Sequence, residues 1–179
     1  MAANAASSAD DRPAGDRLQP SLLDRLTDDE PLKRTEPQDA AAMTRVRLRR
    51  AVLRDLAWLF NTSNMESEVD FEGFEHAKAS TINYGVDAFS GKKLSEIEFE
   101  DIHQSLRDAI LAFEPRLLPD TVEVRSVASQ DLLSLHNTVA FEVRAKLWSI
   151  PYPLELLLRS TLDFESGEVV LQEQSGPAG

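Results

Sequence analysis

The hydrophobic pattern of this chain changes its period once, at Pro115, and that change limits the fold more than any other feature. Before it, apolar residues recur at helical spacing in two long stretches, 43–60 and 95–114. After it, apolar and polar residues alternate from Val122 onward, as they do in strands with one buried face. Helices followed by strands predict an α+β fold, in which two main helices pack on one face of an antiparallel β-meander.

Local signals mark where these elements begin and end. Ser95 with Glu98 fits a capping box that opens the second main helix, and Pro115 ends that helix at the preceding residue. The segment "ESG" at 165–167 predicts a tight turn before a last strand. The alternating runs cover residues 122–128, 138–147, 154–164 and 168–172.

The composition of the segments outside these elements sets the domain plan. Residues 1–19 are rich in Ala, Ser, Asp and Pro, and they contain too little apolar surface to offset the cost of ordering. Residues 61–93 carry little periodicity and predict a structured loop packed across the helices. We predict a disordered N-terminal tail at 1–19, a short docking helix with its linker at 20–41, one α+β domain at 42–173 and a flexible tail at 174–179.

The stretch "SLLDRL" at 21–26 predicts one or two turns of amphipathic helix. Ser21 and Asp24 have the spacing of an N-terminal cap, and Leu22, Leu23 and Leu26 fall on one face. A helix this short is unstable alone in water, so it must dock on its own domain or on another chain. We therefore predict these five residues to be partner-binding.

The corner "FEPR" at 113–116 raises a question of charge. A helix C-terminus prefers a cation, yet this helix ends on Glu114. Pro115 stiffens the bend, and we expect the corner to present Glu114 and Arg116 outward to a partner. In the alternative interpretation Glu114 forms an internal ion pair with Arg107 or Arg116, and Arg116 caps its own helix.

Composition excludes several classes of function. The net charge of −12 and the pI of about 4.7 argue against a nucleic-acid footprint over the whole protein. The absence of cysteine rules out thiolate catalysis and disulfides. No signal peptide or membrane span is recognisable, so we expect a cytoplasmic protein without membrane insertion. The arginines between Arg45 and Arg54 favour a solvated helix face with acid partners in the same domain, and contact with an acidic partner protein or RNA is the alternative.

Catalytic and cofactor motifs are missing from the sequence. His76, His103 and His136 are far apart, phosphate-binding glycine loops do not occur, and no nucleophile elbow is present. We predict no cofactor, no metal and no catalytic residue. The alternative is a peptidoglycan hydrolase with Glu114 as the acid, but Arg116 two residues away favours the ionised carboxylate over a proton donor.

Four stretches in a fixed order resemble one family. They are "SLLDRL" at 21–26, "LRRAVLRDLAWLFNT" at 48–62, "INYGVDAFSG" at 82–91 and "FEPRL" at 113–117. Together they resemble the TssE family of type VI secretion baseplates, which is related to the wedge and sheath-initiator protein of contractile phage tails and has also been labelled lysozyme-like.

The resemblance implies a cytoplasmic structural protein of a baseplate wedge. It implies partners among the baseplate subunits TssF, TssG and TssK, the sheath subunits TssB and TssC, and the VgrG spike region. The family's glutamate-proline-arginine motif falls on Glu114, Pro115 and Arg116 and is a docking element there. The predicted antiparallel sheet resembles the strand-exchange domain of the sheath, which implies that strand addition initiates sheath polymerisation.

Overall fold

The computed structural model places two main helices against one face of a four-stranded antiparallel sheet. It describes residues 20–27, 32, 44–89, 99–127, 138–149 and 151–174. The helices are α1 (Leu22–Leu26), α2 (Arg45–Phe60), α3 (Glu75–Lys78) and α4 (Phe99–Phe113), with 3-10 turns at Thr81–Asn83 and Pro119–Thr121. The strands are β1 (Glu123–Ser126), β2 (Thr138–Leu147), β3 (Leu154–Asp163) and β4 (Val169–Glu173).

The sheet is a meander in the order β1-β2-β3-β4, with every neighbouring pair antiparallel. Alternate residues of the two long strands are buried on the helix side, and polar residues occupy most of the other side. The buried set is Val139, Phe141, Val143, Ala145 and Leu147 on β2 and Leu156, Leu158, Ser160 and Leu162 on β3. The α+β class and the one-sided meander are thus confirmed.

The predicted tight turn between β3 and β4 is also confirmed. The Asp163 N–H donates to the Glu168 carbonyl at 3.0 Å, and the Gly167 N–H donates back to the Asp163 carbonyl at 2.7 Å. Gly167 has a φ of +73°, which L side chains rarely adopt, and this explains the glycine of "ESG".

The start of α2 and the ends of both main helices lie where local chemistry predicts. Thr44 caps α2 by accepting the Arg47 N–H, one residue after the predicted start. α4 ends at Phe113, immediately before Glu114 and Pro115. The described part of α4 starts at Phe99, so the predicted cap at Ser95 lies outside the described residues. Apolar residues of both helices form one core with the buried face of the sheet.

Backbone contacts within the loop after α2 hold its two ends together. The Val86 N–H donates to the Thr62 carbonyl, and the Asn64 N–H donates to the Val86 carbonyl, each at 2.8 Å. Gly85 adopts a φ of +132°, and a Cβ there would lie 2.3 Å from the Thr62 oxygen. The close approach therefore requires glycine. The loop is structured as predicted, although the short helix α3 within it was not foreseen.

The predicted tails at 1–19 and 175–179, and all but residue 32 of the stretch 28–43, lie outside the described residues. No helix in the described part of the chain is both long and apolar enough to cross a membrane.

Candidate functional site

The corner after α4 forms a buried ion pair. Glu114 is 4 % exposed, and its Oε1 accepts both the Arg116 backbone N–H at 3.1 Å and the Arg116 Nε–H at 2.7 Å. Arg116 Nη2 contacts the other carboxylate oxygen, so the pair is bidentate. The corner is also fixed to the end of β2, since the Trp148 N–H donates to the Arg116 carbonyl and the Leu118 N–H to the Lys146 carbonyl.

The prediction that Glu114 points outward is therefore wrong. The internal alternative holds, and the partner is Arg116; Arg107 instead donates to the carbonyl of Val122 at 3.4 Å. Glu114 still donates its N–H to the Ile110 carbonyl, so its side chain leaves the helix end beside the core, where the guanidinium of Arg116 pairs with it. Pro115 is exposed, and the Arg116 side chain retains 25 % exposure.

Further ion pairs connect the corner to α2 and from there to α1. Arg116 Nη2 donates to Asp55 Oδ2 at 2.6 Å, and Arg54 Nε donates to Asp55 Oδ1 at 2.8 Å. Arg54 Nη1 then donates to Asp24 Oδ1 of α1 at 2.7 Å. We call Glu114, Arg116, Asp55, Arg54 and Asp24 the ion-pair chain. It joins the corner to α1, the two segments predicted to bind partners.

Contacts within the ion-pair chain shift the pKa values of Arg116 and Asp24. Burial alone lowers the pKa of Arg116, but hydrogen bonds and attraction to Glu114, and then to Asp55, raise that pKa above its ordinary value. Burial also opposes the charge of Asp24, yet hydrogen bonds from Ser21 and Arg54 bring the pKa of Asp24 below its usual value. Both oxygens of Glu114 are engaged by the guanidinium of Arg116, so the carboxyl group does not face an open cleft.

Tyr84, which belongs to the motif at 82–91, lies beside the ion-pair chain. Its ring packs edge-on against Phe113, with the ring centroids 5.1 Å apart. Burial, followed by the negative charges of Asp55 and Glu114, raises the pKa of the Tyr84 hydroxyl. All four stretches that carried the family resemblance therefore contribute a residue to this one site.

The short helix α1 forms as predicted but contributes nothing to the core. Ser21 and Asp24 make a reciprocal capping box, with the Ser21 hydroxyl donating to Asp24 Oδ2 at 2.6 Å. No residue of α1 is buried, and Leu22 and Leu26 are 71 % and 75 % exposed. Leu23 is also exposed. The leucine face of α1 is thus available to another chain.

Two arginines of the cluster on α2 have acidic partners within the domain. Arg54 belongs to the ion-pair chain and also stacks over Trp58, 5.1 Å from the ring centroid. Arg49 pairs with Glu173 of β4 and donates to the Glu155 carbonyl of β3 at 2.9 Å. The predicted local acid partners are confirmed for these two arginines.

The two edges of the sheet differ in what occupies them. Asn61, the residue that follows α2, donates to the Val169 carbonyl and accepts the Val169 N–H, each at 2.9 Å. Both outward backbone groups of the first β4 residue are therefore satisfied. On β1 the bond from Val127 to Ala140 places Val124 and Ser126 with their backbone groups away from β2.

Metal and cofactor chemistry finds no support in the described residues. They contain no group of three or more His, Cys, Asp or Glu side chains placed to hold a metal ion. An open groove of about 530 Å³ runs along the loop before α3, and acidic side chains line most of it. Within the described residues no further feature of that groove points to a ligand.

Several residues of the site were missed by sequence reasoning. Arg54 and Asp55 lie on the first predicted helix, whose arginines favour a solvated face. Asn61 and Tyr84 lie in the stretch 61–93, which carries too little periodicity to indicate a contact for either residue. One signal was available: Asp55 is the only acid between Arg45 and Phe60, which marks it as a partner for arginine.

Comparison with known proteins gives one family. The family model described as "Baseplate wedge protein gp25" matches residues 46–152. The match contains three of the four motifs, and "SLLDRL" lies before it. No curated protein and no solved structure matches the chain. The resemblance to baseplate wedge proteins is confirmed.

Proposed function

Because the chain belongs to the baseplate wedge protein gp25 family, we propose that it is the TssE-type wedge subunit of a type VI secretion baseplate. Membership of this family implies a structural role in a baseplate, and the assignment to the TssE-type subunit is the proposal. One observation carries it: the four motifs typical of TssE converge on the ion-pair chain and its neighbour Tyr84. The four motifs are spread over 97 positions, 21–117, and yet contribute to one site. This convergence supports a role for the site in assembly.

We assign docking onto TssF and TssG, beside TssK, to α1 and the corner. Exposed leucines on a short capped helix suit a groove on another chain, which is the usual way an amphipathic helix binds. At the corner the exposed Pro115 and the partly exposed Arg116 offer the contacts, and buried Glu114 acts by holding Arg116 in place. The proposed docking residues are Ser21, Leu22, Leu23, Asp24, Leu26, Glu114, Pro115 and Arg116.

The test of docking is capture of purified TssF and TssG by the chain. Replacing Leu22 and Leu26 together by alanine should weaken capture at least about tenfold, because exposed anchors lost from an interface typically cost more than 1 kcal/mol each. The melting temperature should not change, since neither leucine is buried. Val46→Ala is the control, because Val46 is 74 % exposed on α2 outside the proposed surface. Equal capture by the double variant and the control contradicts the proposal.

We further propose that sheath strands from TssB and TssC add at the β1 edge, near the VgrG spike. Among the described residues, no group outside the sheet bonds the outward backbone groups of Val124 and Ser126. An open edge of this kind is a template for strand addition. At the β4 edge, in contrast, Asn61 bonds both outward backbone groups of Val169, which makes the start of that edge less available to a strand.

A single proline tests strand addition at this edge. Ser126 is exposed and its N–H points away from β2, so Ser126→Pro removes an outward donor without breaking a bond to β2. Capture of a purified TssB–TssC sheath fragment should fail for Ser126→Pro and persist for the control Ser126→Ala. Normal capture by a folded Ser126→Pro variant excludes β1 as the acceptor.

The proposal places the protein on the cytoplasmic side of the membrane, with no nucleic-acid partner. No observation favours the hydrolase alternative, because Glu114 lies within a bidentate pair. Purified protein should leave a cell-wall suspension turbid. Clearing of that suspension by the wild-type chain and not by Glu114→Gln is the result that supports the hydrolase instead.

A further inference from the structure

Two consecutive residues of α2 connect the docking segments. Arg54 uses Nη1 for Asp24 of α1 and Nε for Asp55, while Asp55 uses its other oxygen for Arg116 of the corner. The bonds to Asp24 and Arg116 join α2 to two different segments, and the bond between Arg54 and Asp55 lies within α2 and connects them. Arg54 and Asp55 therefore lie between α1 and the corner, although neither belongs to the set predicted to bind partners.

The position of α1 depends on this connection. A helix of five residues does not persist alone in water, and α1 buries no side chain that could attach it to the core. Its capping box directs Asp24 Oδ2 to Ser21, which leaves Oδ1 for Arg54. The Asp24 side chain is 15 % exposed and the Arg54 side chain 31 % exposed, so the contact is partly shielded from water.

Arginine is the residue type that this place requires. A guanidinium presents several donors in one plane, and Arg54 directs them at two carboxylates while one face of the group lies over Trp58. Lysine carries the same charge but has no planar fork. It cannot hold Asp55 and Asp24 in fixed directions together.

We propose that Arg54 and Asp55 are positioning residues that hold α1 in register with the corner, so that the α1 leucines and Pro115–Arg116 form one docking surface. The inference rests on the proposed docking function and names the residues that organise it. Binding at the two segments is then coupled. When a partner binds the corner, the leucine face of α1 is already ordered, so binding does not include the entropic cost of ordering α1.

The first arm of the test measures α1 in the isolated full chain by ¹⁵N relaxation. Backbone order parameters of residues 22–26 should be about 0.8 in the wild type and fall below about 0.6 in Arg54→Met and Arg54→Lys. Arg50→Met is the matched control on the same helix, since Arg50 is exposed, and it should change nothing. Unchanged order in the two Arg54 variants, or a wild-type α1 that is already disordered, overturns the inference.

The second arm measures coupling in the capture of purified TssF and TssG. Leu26→Ala should weaken capture several-fold in the wild type and hardly at all in Arg54→Met, because α1 is then no longer in register. A merely stabilising role for Arg54 predicts equal factors in both backgrounds and contradicts the inference. If the wild type captures neither subunit, the docking proposal fails, whereas the order parameters still report whether Arg54 holds α1.

Discussion

At the scale of the residue, two Glu–Arg pairs with the same sequence spacing differ strongly in burial. The pair Glu114–Arg116 and the pair Glu123–Arg125 are both separated by two positions, and both form ion pairs. The first carboxylate is 3 % exposed in its side chain and the second 52 % exposed. The sequence predicted a charged corner and offered the internal pair as an alternative. It did not show which way the carboxylate of Glu114 points, because the burial of the corner is set by tertiary packing. The contact of Arg116 with Asp55, which lies 61 positions away in the chain, is part of that packing.

The two pairs make a matched experiment. Glu114→Gln leaves Arg116 without its bidentate acceptor at a buried site, and we expect a loss of about 2–4 kcal/mol in the free energy of unfolding. Glu123→Gln removes a solvent-exposed pair of the same spacing and should cost less than about 1 kcal/mol. Urea denaturation of both variants measures the difference. Equal effects contradict the view that Glu114 holds the corner from inside.

At the scale of the element, the helices and strands were predicted well where one face is buried. The bounds of α2 and the end of α4 agree with the apolar spacing to within two residues, and β2 and β3 follow their alternation. The loop at 61–89 could be predicted only as structured. Its form depends on Gly85 approaching Thr62 and on Asn83, whose side chain accepts the Met65 N–H, and such contacts carry no periodic signal.

At this scale we predict that Asn61 protects the edge of β4. Asn61→Ala leaves the outward N–H and C=O of Val169 without partners, and we expect a loss of about 1–3 kcal/mol in unfolding free energy together with faster amide exchange at Val169. Thr62→Ala is the control, since within the described residues the Thr62 hydroxyl donates to the Trp58 carbonyl at the same helix end and not to β4. If the Val169 amide exchanges at the same rate in both variants, Asn61 does not protect the edge of β4.

At the scale of the whole molecule, the order of helices and strands was enough to predict the class, and the ordered motifs were enough to predict the family. The arrangement of the site was beyond the sequence. Asp24 and Arg54 are 30 positions apart, and their contact depends on how the chain returns to α2 after α1. A pairing over such a distance is fixed by tertiary packing, which a local pattern does not encode.

The separation of α1 from the core gives a prediction for the molecule. Removing residues 1–27 should change the free energy of unfolding by less than about 2 kcal/mol, because no residue of α1 is buried and its loss removes from the domain one charged hydrogen-bonded contact, Asp24 with Arg54. The same truncation should abolish capture of TssF and TssG if docking uses α1. Thermal and urea denaturation of the truncated and full-length chains provide the measurement. A loss above 2 kcal/mol shows instead that α1 is part of the folding unit.

The amide of Asn61 reproduces, in one side chain, the donor and acceptor that a neighbouring strand residue supplies. The start of β4 is therefore closed to a neighbouring strand, whereas no described residue bonds the outward groups of Val124 and Ser126 on the opposite flank in this way. If polymer strands join at that opposite flank, this asymmetry gives extension a preferred direction. One asparagine would then help to distinguish a starter that seeds a single polymer from a subunit that polymerises with itself.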